Sequence, residues 1–495
     1  MTELESTRST VAGHGARHPG VIVAVLASAG LVASFMQTIL IPIQSSLPER
    51  LATTRDNTAW VITITLLVSA ICTPISGKLG DMFGKRRIAL ILLSLLVAGS
   101  VVAAVSPSVG PLIVGRGLQG MGMGVIPLGI SLLRDLLPPQ RLGSSIALVS
   151  ATLGVGGAIG LPISAFVTEH FDWHVLFWVA AAMGAIVVAL IAWLVPDAGV
   201  RTGGRVDAVG LIGLALGLGG VLLAVSRGNE WGWTSGTTLG LLGGGLAVLV
   251  VWVILELRIR EPLVDIRVAA RGPVLMTNLA SIAMGFALFA SSIVFPQLLQ
   301  LPEAVGDTGL PLLRASLILA PSGLAMLIMS PVAGRLEKVW GPKALLVLGA
   351  AIIAAGYVLA ASLHLHAWHV LLVNGLIGVG TGLDYAAMPT LIMRAVPESE
   401  TGAANGLNTL MRSLGTAVAS AVVASVLASM SSTVGGQSIP SADGFHMALI
   451  LGLVAAAVCA AIAAFIPTRR KGNEVADQAA RALAQHDGEL AGARA

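Results

Sequence analysis

Apolar positions in this chain come in runs of about twenty residues separated by short polar stretches. They do not alternate as in a half-buried strand, nor do they form one-sided stripes as in a soluble amphipathic helix. A helix rises 1.5 Å per residue, so a hydrocarbon core about 30 Å thick requires about 20 apolar residues. Fourteen such runs occur, the first seven near residues 20–42, 57–79, 88–106, 108–133, 142–167, 173–195 and 208–225. The other seven lie near 237–256, 273–298, 312–334, 344–362, 367–392, 402–430 and 446–466. Each predicts a membrane-crossing helix, and the absence of in-and-out alternation argues against a membrane β-barrel. The polar residues 1–19 are followed by no small-residue cleavage site, so the first run reads as a retained anchor helix.

Composition sharpens the picture. Of 495 residues, 55% are apolar and 11% charged, and the mean hydropathy is +0.89. A soluble domain carries roughly a quarter charged residues, so a cytosolic enzyme, a disulfide-stapled secreted protein and a disordered scaffold are all excluded. Cys72 and Cys459 lie inside apolar runs and offer neither a disulfide framework nor a cysteine metal site. Charge sets the orientation, because cytoplasmic loops keep lysine and arginine. With both termini inside, 23 of the 29 basic residues fall on the cytoplasmic side. Four (Arg50, Arg55, Arg227 and Arg314) fall outside, and Arg116 and Arg412 lie within spans. The net charge of +4 therefore has a topological origin, and nucleic acid is not an expected partner.

The chain also repeats itself. Gly77-x-Leu79-x4-Gly84 closes the second span, and Gly334-x-Leu336-x4-Gly341 closes the tenth. This spacing predicts two homologous six-helix bundles, at 20–196 and 273–467. An extra transmembrane hairpin with cytoplasmic loops fills 197–272, and cytoplasmic tails cover 1–19 and 468–495. Parallel halves of this kind suit a rocking carrier with a midplane site.

These residues carry a family resemblance. Gly77-x-Leu79-x-Asp81-x-x-Gly84-Lys85-Arg86-Arg87 resembles the signature loop of the major facilitator superfamily. Arg116-Gly-Leu-Gln119-Gly120-Met-Gly122 resembles its span 4 motif, and Gly156-Gly-Ala-Ile-Gly160-Leu-Pro162 is similar to its antiporter motif. With fourteen spans, the resemblance is to the drug:proton antiporter branch. It implies an all-α polytopic membrane protein with the major facilitator fold, two six-helix bundles and a central two-helix insertion. Two departures stand out. The family's span 1 aspartate falls at Met36, and Leu161 separates Gly160 from Pro162 in the antiporter motif.

Each motif also has a physical reading of its own. Gly77 permits close helix approach, and Asp81 can cap or pair at a helix end as a cytoplasmic latch. Lys85, Arg86 and Arg87 suit anchoring at anionic headgroups, while Gly84, Lys85 and Arg86 also count with Gly77 and Asp81 as members of the latch. The small residues Gly156 and Gly160, with the kinking Pro162, read as a gate-shaping segment.

Charges inside a bilayer are costly and default to function. Arg116 lies roughly 12 Å below the outer end of span 4 at helical rise, and without a carboxylate at Met36 its expected partners are Gln37, backbone or water. Asp384 and Arg412 lie at depths of roughly 12 and 15 Å on successive spans, which predicts a charge pair. The stripe Gly380, Thr381, Asp384 and Met388 and the stripe Asn405, Asn408, Thr409, Arg412 and Thr416 face protein or a water-filled cavity. Asp384 is the expected proton-exchanging carboxylate, Arg412 a substrate or charge-relay group, and Arg116 a further charge-relay candidate.

Gln37, Gln44, Asn278, Asn374, Tyr385 and Asn408 are candidates to line a substrate cavity. His364-x-His366-x-x-His369 has metal-like spacing but no carboxylate neighbours, so no metal site is expected. No Gly-x4-Gly-Lys-Ser/Thr occurs, which argues against ATP as the driver. The expected function is secondary active, non-enzymatic export of a drug, antibiotic or amphipathic metabolite. The proton gradient would supply the energy, with no cofactor, in a monomer. Alternatives are a carrier for one metabolite, in either direction, and a non-transporting membrane sensor. Five lysines against 24 arginines fit a GC-rich bacterial source, and hence the cytoplasmic membrane.

Overall fold

The computed structural model describes residues 19–40, 43, 46–199, 201–204, 206–259, 261–301, 309–363, 366–434 and 437–467. Gln44, His364 and the tails 1–18 and 468–495 lie outside the described residues. Nearly everything described is helical, as lipid requires of a chain whose backbone polar groups must bond within their own segment. The principal helices begin with α1 (Pro19–Thr38), α2 (Arg55–Phe83), α3 (Lys85–Ala104), α4 (Val109–Met121) and α5 (Val125–Leu136). Then come α6 (Pro139–His170), α7 (Val175–Leu194), α8 (Ala208–Trp231), α9 (Gly236–Glu256) and α10 (Gly272–Leu299). The last are α11 (Leu312–Leu319), α12 (Pro321–Ser362), α13 (Ala367–Ala395), α14 (Thr401–Ser429) and α15 (Ala442–Ala464).

Among the described residues, twelve helical stretches are long and apolar enough to cross a membrane, where the sequence predicts fourteen. Two local features account for the difference. The run near 108–133 is cut into α4 and α5 by a 3-10 turn at Gly122–Gly124. The runs near 312–334 and 344–362 join in one stretch, Leu312–Ser362, broken at Gly341 (φ 79°, ψ 164°). One short element is not helical. Ser431–Val434 and Gln437–Pro440 form a small antiparallel strand pair between α14 and α15, in a stretch rich in serine and β-branched residues.

The internal repeat has a physical basis. Gly84 (φ 105°) and Gly341 (φ 79°) both adopt left-handed backbone, which costs other residues roughly 1–2 kcal/mol. The first glycine of each repeat meets another backbone instead. A Cβ on Gly77 would lie 2.2 Å from the Gly402 carbonyl oxygen, and one on Gly334 would lie 2.7 Å from the Ser144 Cα. Lipid provides no hydrophobic drive between helices, so small residues that admit close contact hold such crossings.

One apolar core draws on residues 22–195 with Met393, and a second on 280–466 with Ala147. They meet along two crossings, α2 with α14 and α6 with α12. The α8–α9 hairpin leans on the first of these, where Leu214, Leu218 and Leu222 pack with Ala70 and Leu410. The outer face of α9, including Leu239, Leu246, Val250 and Ile254, is exposed, as suits a lipid-facing helix. Arg227, assigned by sequence to an outer loop, lies in α8 and is buried. Its guanidinium sits 4.6 Å over the Trp60 ring and pairs with Glu230.

The crossing makes a stability prediction. Gly77→Ala should destabilise the folded protein by about 1–3 kcal/mol, because neither backbone can yield. Gly240→Ala, where a Cβ would meet nothing within 4 Å, should change stability by less than about 0.5 kcal/mol. Thermal unfolding of both variants in one detergent makes the comparison, and equal effects would contradict the packing account.

Candidate functional site

Asp81 lies in the last turn of α2, and its carboxylate reaches across the seam to the other half. Its Oδ1 accepts from the Gly402 amide at 3.1 Å and its Oδ2 from the Ala403 amide at 2.9 Å. These amides belong to the first turn of α14, whose N-cap Glu400 supplies no side-chain cap. An N-terminal turn leaves its amides without helical partners and carries partial positive charge, so a carboxylate satisfies both needs. Asp81 is thus a cap donated by one half to a helix of the other.

Lys85 departs from expectation. It is 2% exposed and does not reach headgroups. Its Nζ lies 2.7 Å from Asp135 Oδ2 and 3.6 Å from Asp81 Oδ1, and it donates to Thr401 Oγ1 at 3.0 Å. Arg86 also turns inward, donating to the Ala192 carbonyl at the end of α7, whereas Arg87 is exposed. The polar linker after α7 closes over the same loop, with the Thr202 amide donating to the Asp81 carbonyl at 2.9 Å. Within it, the Gly199 amide and the Arg201 guanidinium hold the Asp197 carboxyl below its ordinary range.

The second repeat builds a weaker counterpart. Glu337 on α12 pairs with Arg394 of its own half at 3.1 Å. It also packs against Gly143 in the first turns of α6, where a Cβ would lie 2.6 Å from its carboxylate.

Arg116, 1% exposed, ties α1, α2 and α4 together. It donates to the Met36 carbonyl at 2.9 Å, to Gln119 Oε1 at 2.8 Å and to the Val61 carbonyl at 3.4 Å. Of its expected partners, backbone is correct and Gln37 is not; the amide comes from Gln119, one turn along its own helix. Gln119 in turn donates to Ser100 Oγ at 2.9 Å and the Met36 sulfur at 3.2 Å, so a thioether occupies the place where the resemblance implies a carboxylate. Gly120 admits α2, since a Cβ there would lie 2.7 Å from the Thr65 carbonyl.

Gly156 and Gly160 face α1 of their own half, at Leu31–Phe35 and Thr38. The contact across the seam is made instead by Gly154 and Ala158 against Met326 and Gly323 of α12. Pro162 borders an apolar cleft of about 230 Å3 between α6 and the α11–α12 segment, with Ile159, Leu317 and Leu324.

Between the halves lies a cavity of about 10 Å3, room for one water. Tyr385 and Pro389 from α13 and Asn405, Asn408, Thr409 and Arg412 from α14 line one side. Ile126, Ile130, Ser150 and Leu153 line the other. The polar stripe of α14 therefore faces a cavity, as predicted. The predicted Asp384–Arg412 pair does not form. The Arg412 guanidinium lies 4.6 Å over the Tyr385 ring and makes no ion pair among the described residues. Asp384 points the other way from α13 into its own bundle, toward Gly349, where a Cβ would lie 2.1 Å from its Oδ1. It is fully buried, and both carboxyl oxygens lack a hydrogen-bond partner.

The remaining cavity candidates divide. Asn408 donates to Asn278 Oδ1 at 3.0 Å and Ser281 Oγ at 2.8 Å, tying α14 to α10. Asn374 donates to the Leu319 carbonyl at 3.0 Å and serves as helix–helix glue. Gln37 is half-buried and does not line the cavity. His369 accepts from the His366 amide at 3.3 Å, a helix-capping role. Asp135 and Ser150 were not legible in the sequence: neither falls in a motif, Asp135 stands beside Arg134 near the end of α5, and Ser150 is one of several small polar residues in α6.

Two helical bundles meeting at a midplane cavity define a transporter fold. The sequence model of the Major Facilitator Superfamily matches residues 26–420 and 277–489, and the chain belongs to that family. It is 28% identical to the lincomycin resistance protein LmrB of Listeria innocua over 452 residues, 88% of this chain and 94% of that one. It is 26% identical to the multidrug resistance protein Stp of Mycobacterium tuberculosis, over 79% of this chain and 72% of that one. Among solved structures, the human organic anion transporter MFSD10 matches with a TM-score of 0.63 at 15% identity, over 89% and 99% of the two chains. The proton:xylose symporter XylE matches with a TM-score of 0.62 at 15% identity, over 91% and 96%. The protein is a multi-pass membrane transporter and not an enzyme.

The latch predicts a change in accessibility. In a background without Cys72 and Cys459, Ser144→Cys places a thiol at the α6–α12 crossing. Adding Asp81→Asn should raise its alkylation rate about tenfold, as a charge-assisted bond is worth roughly 1.5–3 kcal/mol. An unchanged rate would show that Asp81 does not hold the seam.

Proposed function

We propose that this chain is a proton-coupled exporter that moves small organic molecules out of a bacterial cell by alternating access. Both termini are cytoplasmic in this reading, because 23 of 29 basic residues fall on their side. Fourteen crossings follow if α4–α5 counts as one broken span and Leu312–Ser362 as two. The bundles then cover 20–196 and 273–467, with the hairpin between them and a monomer as the working unit. Relatives named for lincomycin and multidrug resistance support export as the direction.

The observation that carries proton coupling is Asp384. It is fully buried, and among the described residues neither a cation nor a side-chain donor pairs with it, the Ala350 backbone amide being the group that approaches its oxygens. An ionised carboxylate without a partner in such surroundings costs several kcal/mol, so this arrangement accommodates the neutral acid. Its neighbour Tyr385 lines the cavity, so a rotation of α13 that changes the cavity also changes what surrounds Asp384. A proton held in one arrangement and released in the other couples the gradient to the movement of substrate.

The test uses everted membrane vesicles loaded with a proton gradient and radiolabelled lincomycin as the probe. Uptake that collapses with an uncoupler supports antiport; gradient-insensitive uptake overturns it. Asp384→Asn should remove uphill uptake at least tenfold and leave downhill exchange intact, because the amide keeps the size but cannot carry the proton. Equal loss of both would assign Asp384 a structural role.

A further inference from the structure

We propose that the central cavity is an anion site: it takes an amphipathic organic molecule through a carboxylate or a similar oxyanion, with Arg412 as the counter-ion. This rests on the transport reading and names the substrate class for it.

Most polar groups that face the cavity are already occupied. The amide of Asn405 donates to Ser131 Oγ at 3.3 Å and to the Thr401 carbonyl at 2.9 Å. That of Asn408 is spent on Asn278 and Ser281. The Thr409 hydroxyl donates to the Asn405 carbonyl at 3.0 Å. Besides the Tyr385 hydroxyl, two donors are left. The Arg412 guanidinium has no ion pair among the described residues and lies over the Tyr385 ring. The Ser150 hydroxyl, 2% exposed, has no hydrogen-bond partner. They come from opposite halves, α14 and α6, and both border the same cavity.

Among the described residues, no acidic side chain lines that cavity. Asp384 faces into its own bundle, and Asp81 and Glu337 are engaged at the seam's basic end. The field in the cavity is therefore that of one cation, in surroundings where an unbalanced charge is expensive and a counter-ion is favoured. A guanidinium presents a planar fork of donors that matches a carboxylate, and its stacking on an aromatic ring fixes that fork in place. Across the cavity, Ile126, Ile130 and Leu153 offer an apolar wall. Donors on one side and hydrocarbon on the other fit a ligand with an acidic head and an apolar body. At about 10 Å3 the cavity is collapsed, so such a ligand enters only when the halves part. It would then bridge Arg412 and Ser150 as they close again. A lipophilic cation finds no counter-charge here and meets repulsion from Arg412.

The experiment measures binding and transport separately. Purified protein in nanodiscs of neutral phosphatidylcholine, which removes anionic lipid as a competitor, is titrated with carboxyfluorescein and with ethidium by fluorescence anisotropy. Carboxyfluorescein should bind saturably and ethidium at least tenfold more weakly. Arg412→Gln should weaken carboxyfluorescein at least tenfold, Arg412→Lys less, and Ser150→Ala a few-fold, with thermal unfolding confirming that each variant is folded. If Arg412→Gln is misfolded, Ser150→Ala alone decides the anion contact. Ethidium binding as tightly as carboxyfluorescein, or an unchanged anion affinity in both folded variants, overturns the proposal. Vesicle uptake separates the two readings. Gradient-driven uptake of lincomycin without any binding of carboxyfluorescein leaves export standing and overturns the anion site. Arg412-dependent carboxyfluorescein binding without gradient-driven uptake of either compound does the reverse.

Discussion

Close approach of backbone to backbone at a few glycines is the constraint from which this architecture follows. In lipid, helices gain little by hiding apolar surface from one another, and contact must come from fit. Gly77 against Gly402, Gly323 against Gly154 and Gly334 against Ser144 provide that fit across the seam. With no side chain between them, the α2 end reaches the α14 start, and Asp81 lies within hydrogen-bond distance of amides that would otherwise be unsatisfied. The charge cluster of Lys85, Asp135 and Thr401 is then assembled around a contact that packing has already made. Packing sets the geometry, and the charges make it specific and reversible.

The two halves share a repeat but not a chemistry. The first places a carboxylate on the other half's helix terminus; the second pairs its carboxylate with an arginine of its own bundle and only touches the opposite helix. One seam crossing is consequently held by charge-assisted bonds and the other mainly by van der Waals fit. The same division appears at the midplane, where α13 carries Asp384 into the bundle and Tyr385 into the cavity.

Helix periodicity explains both what the sequence made legible and what it hid. Runs of apolar residues locate helices well, because length and hydropathy suffice for that purpose. The glycine spacing of the repeat marked Gly77, Gly84, Gly334 and Gly341 for sound reasons, since each sits where a side chain or an ordinary φ is excluded. The direction of a side chain was not legible. Rise per residue predicts similar depths for Asp384 and Arg412, but successive residues on a helix diverge by about 100°, and which face meets which neighbour depends on the packing of the whole bundle. Thus the α14 stripe met the cavity and the α13 stripe turned away from it. Lys85 reads as a surface anchor in sequence because its acidic partner, Asp135, is fifty residues away. The 3-10 turn at Gly122–Gly124 and the bend at Gly341 change how many helices are counted without changing which residues are apolar.

The central claim is that two bundles, held together at the basic end by the α2–α14 and α6–α12 crossings, part there as units. Spin labels at Gln140 on α6 and Lys338 on α12, both exposed and on opposite halves, report that separation directly through their distance distribution by double electron–electron resonance. The account predicts two discrete distances whose populations shift between acid and neutral pH, with the shorter one lost in Gly77→Ala. A single distance, unchanged by pH and by that substitution, would contradict it.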